Sequence, residues 1–505
     1  MDSTRGTPEG DGRMKPWGRA RDGKVGAPTC LVVAAAAAVA IVSARDYAGG
    51  WNDGSRLATV ESLVDYHTLA IDRSIFVVVP PRDRPGAPVP YRADEPNLLL
   101  HGTQDKLFIR GHFYSDKSPV PALWMAGVYQ ALQWGTGLKA RERPDRFCYW
   151  MTLLSSGLAY VIAVWCMFRL GRPLRLPPGL RLGLAASLGL STVALTYVRQ
   201  VNNHILLLAV AAALYLGLAS WPRDAHGGRI TWLRLLGLGT LAGLAYTIDL
   251  GAGPVLLACA LGVVCHRCRS LRRMAVFAGA ALPWLALHHV LNYTIGGTFR
   301  PANAVPAYFT WPGSPFAAQN MTGILAHSSI GHFLIYAAAL LAGKRGFLGH
   351  NLPLFLAAPG IVILLRRRTA ERPEILSAGC WFAGTWLVCA LFSNNYSGVA
   401  ASIRWFVPLL VPGYFVLAIL LREDPRFRWD FLALSAWGAV LAGLMWWKGP
   451  WLGRMVPFFW PIQAAALVSW IVCWRARRNQ NAGTPPIPGP AGGTGARSVE
   501  RGATG

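Results

Sequence analysis

Charge is what this chain has little of. Only 14% of its 505 residues are charged, and acids are the scarcer sign, with 24 Asp and Glu against 49 Lys and Arg. Together with 53% hydrophobic residues and a mean hydropathy of +0.34, that scarcity excludes an ordinary soluble globular protein. Paired cysteine motifs are also missing. The nine cysteines fall almost entirely inside or beside apolar stretches, so no disulfide framework is implied. The "CHRC" at Cys265 to Cys268 has no second pair to complete a four-ligand zinc site. No internal repeat is visible, and no soluble terminal domain is expected to carry chemistry.

What is present is long apolar sequence, such as "CLVVAAAAAVAIVSA" and "LRLLGLGTLAGLAYTI", with 21 tryptophans. The net charge of +25 would suggest nucleic acid in a soluble protein. Here the basic residues cluster in short stretches between apolar spans, which is the signature of membrane topology, so no nucleic-acid partner is expected.

Topology follows from that bias. Arg13, Lys15, Arg19, Arg21 and Lys24 precede the run from Thr29 to Ala44, which reads as a signal anchor with its N-terminus inside. Residues 45–146 then form a long first external loop. Within it, "SPVPALWMAGVYQALQWGTG" (118–137) admits two readings. As a span it would place Arg169, Arg172, Arg175 and Arg181 outside; as an amphipathic helix on the outer face, with Pro119 and Pro121 in its first turn, it keeps them inside. The second reading is adopted. Spans follow at 147–169, 180–198, 204–221, 231–250, 253–266, 274–294, 351–366, 376–393, 404–421, 431–447 and 457–474, about twelve in all with both termini cytoplasmic. The expected organisation is a disordered cytoplasmic head (1–28), an all-α polytopic membrane domain (29–474) and a disordered Pro/Gly-rich tail (475–505).

Four polar segments fall on the external side. "NDGSRLATVESLVDYHTLAID" carries Asp53, Arg56, Glu61, Asp65 and Asp72, with Asn52 or Asp53 as a candidate N-cap. "GHFYSDKSPVPALW" carries Tyr114, Asp116 and Lys117; "RQVNNHILLL" carries Arg199, Asn202, Asn203 and His204; "SNNYSGVAASIRWFVPLLVP" carries Tyr396 and Arg404. The inside arginines alone set the orientation, so this gathering on one side is an independent observation. It places any active site at the membrane's outer surface.

A first external loop that opens with an acid and an arginine three residues later, and closes with an aromatic, an acid and Lys-x-Pro before an interfacial helix, resembles the GT-C glycosyltransferase superfamily. The aminoarabinose transferases and protein O-mannosyltransferases are the nearest by pattern. The resemblance implies a GT-C-like fold of about twelve spans. It implies transfer of a hexose or pentose from a polyprenyl-phosphate carrier to a lipid, glycan or protein acceptor outside the plasma (inner) membrane. Asp53 matches the family's essential first-loop carboxylate, Arg56 the arginine after it, and Asp116, Lys117 and Pro119 the acid-Lys-Pro-Pro element, with Ser118 replacing its first proline. The match covers roughly the first 220 residues. It departs where the family carries a second acid, at the junction held here by Asn202, Asn203 and His204. That departure removes the carboxylate pair for a metal, so a divalent metal is left open and no organic cofactor is expected.

The residues themselves suit such chemistry. Transfer from a phosphate-linked sugar needs a base for the acceptor hydroxyl and cations for the leaving phosphate. Asp53 is the expected catalytic base; Arg56, Lys117 and Arg404 are the expected phosphate ligands. Tyr114, Asp116, Asn203, His204 and His327, the last in "AHSSIGHF" with His332, complete the expected substrate-binding set. Simpler roles stand beside these: Arg56 paired with Glu61 or Asp65, Lys117 among lipid headgroups, Arg404 snorkelling to the interface. The competing class is a transporter or lipid flippase, which would place ionisable groups mid-span; Asp249 is the sole acid well inside an apolar stretch, and the "GAG" after it suggests a turn near the surface.

Overall fold

The computed structural model describes residues 27–482 apart from 83–85, 222–228, 318–320, 324, 326, 368 and 454. The expected head up to residue 26 and the tail from 483 onward lie outside the described residues. The chain is built almost wholly of helices. The first part comprises α1 (Ala27–Ser43), α2 (Trp51–Asp65), α3 (Pro96–His101), a hairpin of β1 (Lys106–Ile109) and β2 (His112–Ser115), and α4 (Pro119–Thr136). Next come α5 (Pro144–Thr152), continued through one π-helical turn into α6 (Leu158–Leu170), then α7 (Pro178–Leu190), α8 (Ala194–Tyr197) and α9 (Asn203–Ala219). The remainder is α10 (Arg229–Ile248), α11 (Gly253–Cys268), α12 (Leu271–Gly296), α13 (Ile330–Leu341), α14 (Ala357–Arg367), α15 (Arg372–Leu391), α16 (Leu410–Glu423), α17 (Arg428–Lys448) and α18 (Phe459–Ala482).

Among the described residues, five helical segments are long and apolar enough to cross a membrane: Pro144–Leu170, Leu271–Gly296, Arg372–Leu391, Arg404–Glu423 and Pro425–Lys448. Five shorter apolar helices, of 10–17 residues, accompany them. This is a multi-pass helical membrane protein, although length and apolarity alone do not reach the expected count of about twelve spans. The expected span 180–198 is broken after Leu190, and an apolar helix, α13, occupies part of the expected external loop 295–350. α18 continues past 474 to Ala482. The hairpin is the one β-sheet among the described residues; Lys106 pairs with Ser115 and Ile109 with His112 in antiparallel register.

Most of the first loop packs around one core that also takes in the start of the next helix, while its hairpin packs against Ile295 and Phe309. Ala58, Val60, Phe76, Tyr91, Met125, Tyr129 and Phe147 share one core cluster. α2 is buried along nearly its whole length, charged residues included, because α4 and the hairpin enclose it. Its acids therefore need internal partners. Glu61 Oε2 accepts from Ser74 Oγ at 2.5 Å and from the Ile75 N–H at 3.0 Å. Asp65 accepts from Tyr129 Oη at 3.0 Å and from Gln133 Nε2 at 2.5 Å, tying α2 to α4. α4 starts with Pro119, as the sequence suggests, buries Met125 and Tyr129, exposes Trp124 and Trp134, and ends at Gly137 in the left-handed region (φ 68°).

Candidate functional site

Where α9 begins and α10, α12 and α15 end, the first loop covers a cavity of about 910 Å³. α2 contributes Asn52 and Arg56; the stretch after the hairpin contributes Asp116 and Lys117. The first turn of α9 brings Asn203 and His204, and Arg404 enters from the 3-10 turn Arg404–Leu409. Phe309, Phe316, Met321, Val388 and Phe392 add an apolar portion to the wall.

Arg56 does not pair with Glu61 or Asp65. Its Nη2 donates to Asn203 Oδ1 at 2.8 Å, which fixes the first loop to the start of α9. Burial pushes the Arg56 guanidinium down to about 10, with Asp116 and Asp249 opposing and Arg404 reinforcing that shift. Arg404 lies over the Trp451 ring, 5.4 Å from its centroid. Among the described residues, neither arginine has a carboxylate within ion-pair distance.

Lys117 is differently placed. Its Nζ stands 2.7 Å from Asp105 Oδ2 and 2.6 Å from Asp116 Oδ2, with all three side chains nearly buried. Ser55 ties the cluster together, donating to the Asp105 carbonyl at 2.5 Å and lying 2.6 Å from Ser115 Oγ. The two carboxyls are driven apart in acidity. Burial raises Asp105, but Lys117 and then Arg404 and Arg56 outweigh it and hold that carboxyl below its usual range. At Asp116, burial and the Asp105 charge together outweigh Lys117, and the carboxyl is raised.

Asp53 is not at the cavity surface. α2 starts at Trp51 with Gly50 as N-cap, so neither Asn52 nor Asp53 caps it. Asp53 sits in the first turn, fully buried, with Oδ2 accepting the Gly49 N–H at 2.6 Å. Burial raises its pKa to about 7 against those backbone hydrogen bonds and the Arg56 charge. Asp53, the expected catalytic base, thus lies just beneath the lining formed by Gly50, Trp51 and Asn52, and its Oδ1 has no hydrogen-bond partner among the described residues. Tyr114, in β2, packs against the Leu107 and Ile295 cluster, and His327 Nε2 bonds the Ala390 carbonyl at 2.6 Å; neither lines the cavity. Asp116, Lys117, Asn203, His204 and Arg404 do.

Several lining residues escape a reading of sequence. Asp105 precedes a four-residue strand that has no strong signal of its own, and the hairpin is what brings it back to Lys117. Asp249 ends α10; its Oδ1 accepts the Gly251 and Ala252 N–H groups at 2.8 and 3.2 Å, so the turn implied by "GAG" exists, yet the carboxylate faces the cavity. His288 and Asn292 line it from α12, on one face at a spacing of four. Among the described residues, no group of three or more His, Cys, Asp or Glu side chains is placed to hold a metal ion.

No known family's sequence profile matches this chain, and no curated protein matches it. Among solved structures it is similar to ArnT of Cupriavidus metallidurans bound to undecaprenyl phosphate, at 14% identity and a TM-score of 0.45, covering 89% of this chain and 76% of that one. The apo state of the same protein aligns at 14% identity and a TM-score of 0.47, covering 89% and 75%.

Proposed function

We propose that this protein is an integral membrane glycosyltransferase that moves a sugar from a polyprenyl-phosphate donor to an acceptor hydroxyl on the extracytoplasmic face of the plasma (inner) membrane. The observation that carries this reading is the pair of guanidiniums, Arg56 and Arg404, that line one cavity with no carboxylate partner while the third cation, Lys117, is held by two. A sugar-phospho-polyprenol is a phosphodiester with one negative charge, and loss of the sugar leaves a monoester approaching two. Two fixed guanidiniums stabilise the second state more than the first, which is the differential binding that lowers a barrier. The apolar wall from Phe309 to Phe392 suits the first units of a prenyl chain.

Lys117 in this reading organises Asp105 and Asp116 and meets the donor only as part of that cluster. Asp116, the less acidic carboxyl, is a natural acceptor for a sugar hydroxyl. Asp53 holds the start of α2, while Tyr114 packs in the Leu107 and Ile295 cluster and His327 bonds the Ala390 carbonyl, both outside the lining. The first-loop resemblance to the GT-C superfamily supports the same conclusion from sequence.

The test is purification in mild detergent, mass spectrometry of the co-purified lipids, and a transfer assay with any lipid-linked sugar recovered. The expected result is a polyprenyl phosphate species retained by the wild type and lost from the Arg56→Ala, Arg404→Ala double variant. Equal lipid recovery from both proteins would remove the phosphate site and favour a transporter.

A further inference from the structure

Lys117 engages one oxygen of Asp105 and one of Asp116. A second charged pair lines the same cavity. His204 Nδ1 lies 2.8 Å from Asp249 Oδ2, with both side chains nearly buried. The His204 backbone is fixed by its N–H donating to the N-cap, Asn202 Oδ1, at 2.8 Å. The Asp249 carboxylate is held through its other oxygen by the Gly251 and Ala252 N–H groups. With Nδ1 beside the carboxylate, Nε2 is the ring nitrogen left for a ligand, and no described residue bonds it. Asn203 joins this pair to the phosphate side: its Nδ2 donates to Asp249 Oδ2 at 3.3 Å while its Oδ1 accepts from Arg56. A continuous chain thus runs Arg56, Asn203, Asp249, His204.

We propose that His204, oriented by Asp249, is the general base that takes the proton of the acceptor hydroxyl. This rests on the glycosyltransferase reading and assigns its proton-transfer step. The acceptor O–H proton passes to His204 Nε2 as the acceptor oxygen bonds the anomeric carbon. The bond from that carbon to the phosphate oxygen breaks, and its electron pair stays on the phosphate between Arg56 and Arg404. The products are the glycoside, polyprenyl phosphate and an imidazolium beside Asp249, which then yields its proton to water. Asp249 is a positioning residue that also offsets the imidazolium charge. The other charged groups acting on the ring are Arg56 from α2 and Arg404 from the 3-10 turn, and Cys389 of α15 neighbours the Asp249 turn.

Two measurements on the full-length protein test this. The first needs no donor: diethyl pyrocarbonate modifies neutral imidazole, and its rate at His204, followed by peptide mass spectrometry across pH, reads the ring's basicity. His204 should react, be protected by added undecaprenyl phosphate, and show a midpoint about one pH unit or more lower in Asp249→Asn, since an adjacent carboxylate favours the imidazolium. No reaction at pH 8, or a midpoint unmoved in Asp249→Asn, would overturn the dyad. The second uses the lipid-linked sugar recovered by mass spectrometry. His204→Gln should slow turnover by at least about 100-fold while donor Kd stays within about threefold. Wild-type transfer with less than tenfold slowing in His204→Gln overturns the dyad alone; failure of the wild type to bind or transfer any polyprenyl-phosphate sugar overturns the underlying reading, and the labelling experiment still judges the pair.

Discussion

Arg56 Nη2 and Asn203 Oδ1 are 2.8 Å apart across 147 positions of sequence. This bond joins the first loop to the start of α9, and the cavity-lining guanidinium has no carboxylate within ion-pair distance among the described residues. Arg56→Ala should cost about 1.5 to 3 kcal/mol in binding of a polyprenyl phosphate, the usual worth of a charge-assisted hydrogen bond. Asn203→Ala keeps the charge but releases its orientation, so it should weaken binding less. Titration of undecaprenyl phosphate into each purified variant separates the two; equal losses would mean the bond matters only for folding.

Lys117 lies between Asp105 and Asp116, all nearly buried. Lys117→Met leaves two carboxylates facing each other and should cost about 3 to 5 kcal/mol of stability, as breaking a buried ion pair does. Adding Asp116→Asn to that variant should recover part of the loss. Thermal unfolding in detergent checks both, and no recovery in the double variant would show that Lys117 contributes by packing rather than by charge.

Glu61 gives the first loop a pH dependence. Burial raises its pKa from 4.5 to about 7 against hydrogen bonds from Ser74 and Ile75. The folded form holds its proton more tightly than the unfolded chain, so this group's contribution is greatest below pH 4.5. It then declines as pH rises to about 7, by on the order of 3 kcal/mol at 1.36 kcal/mol per unit. Glu61→Gln should flatten the wild-type slope between those limits. Melting temperatures at half-unit pH steps read it directly; an unchanged slope would assign the dependence elsewhere, with Asp53, also raised to about 7, the first alternative.

Asp53→Asn keeps an oxygen for the Gly49 N–H and removes a charge that burial disfavours. Transfer activity should remain within about fivefold of wild type, in contrast to His204→Gln. Loss of transfer by Asp53→Asn with folding intact would return the base to the first loop.

Sequence made part of this site legible. Arg56, Lys117, Asn203, His204 and Arg404 lie beside the ends of apolar segments, and the positive charges between those segments put all of them on one side. The structure brings these residues to one cavity. Side-chain direction was not legible. α2 has no strongly apolar stripe, since its neighbours enclose it on nearly every face, so nothing in its pattern shows that Asp53 points inward while Arg56 reaches the cavity. Asp105 reaches Lys117 only through a hairpin too short to announce itself. Asp249 reads as a lone acid at a helix end; its meaning comes from His204, which the chain supplies 45 positions earlier, and such a pairing is set by helix packing rather than by any motif. α13 escaped because its twelve residues fall short of a span.

The central claim is that Arg56 and Arg404 together hold the phosphate of a lipid-linked sugar. Its most direct measurement is the affinity of undecaprenyl phosphate for the wild type and for the Arg56→Ala, Arg404→Ala double variant in lipid nanodiscs, at low and high salt. The account predicts saturable binding by the wild type and at least about 100-fold weaker binding by the double variant, with each arginine worth a charged hydrogen bond. Wild-type binding that the double substitution leaves unchanged would contradict it.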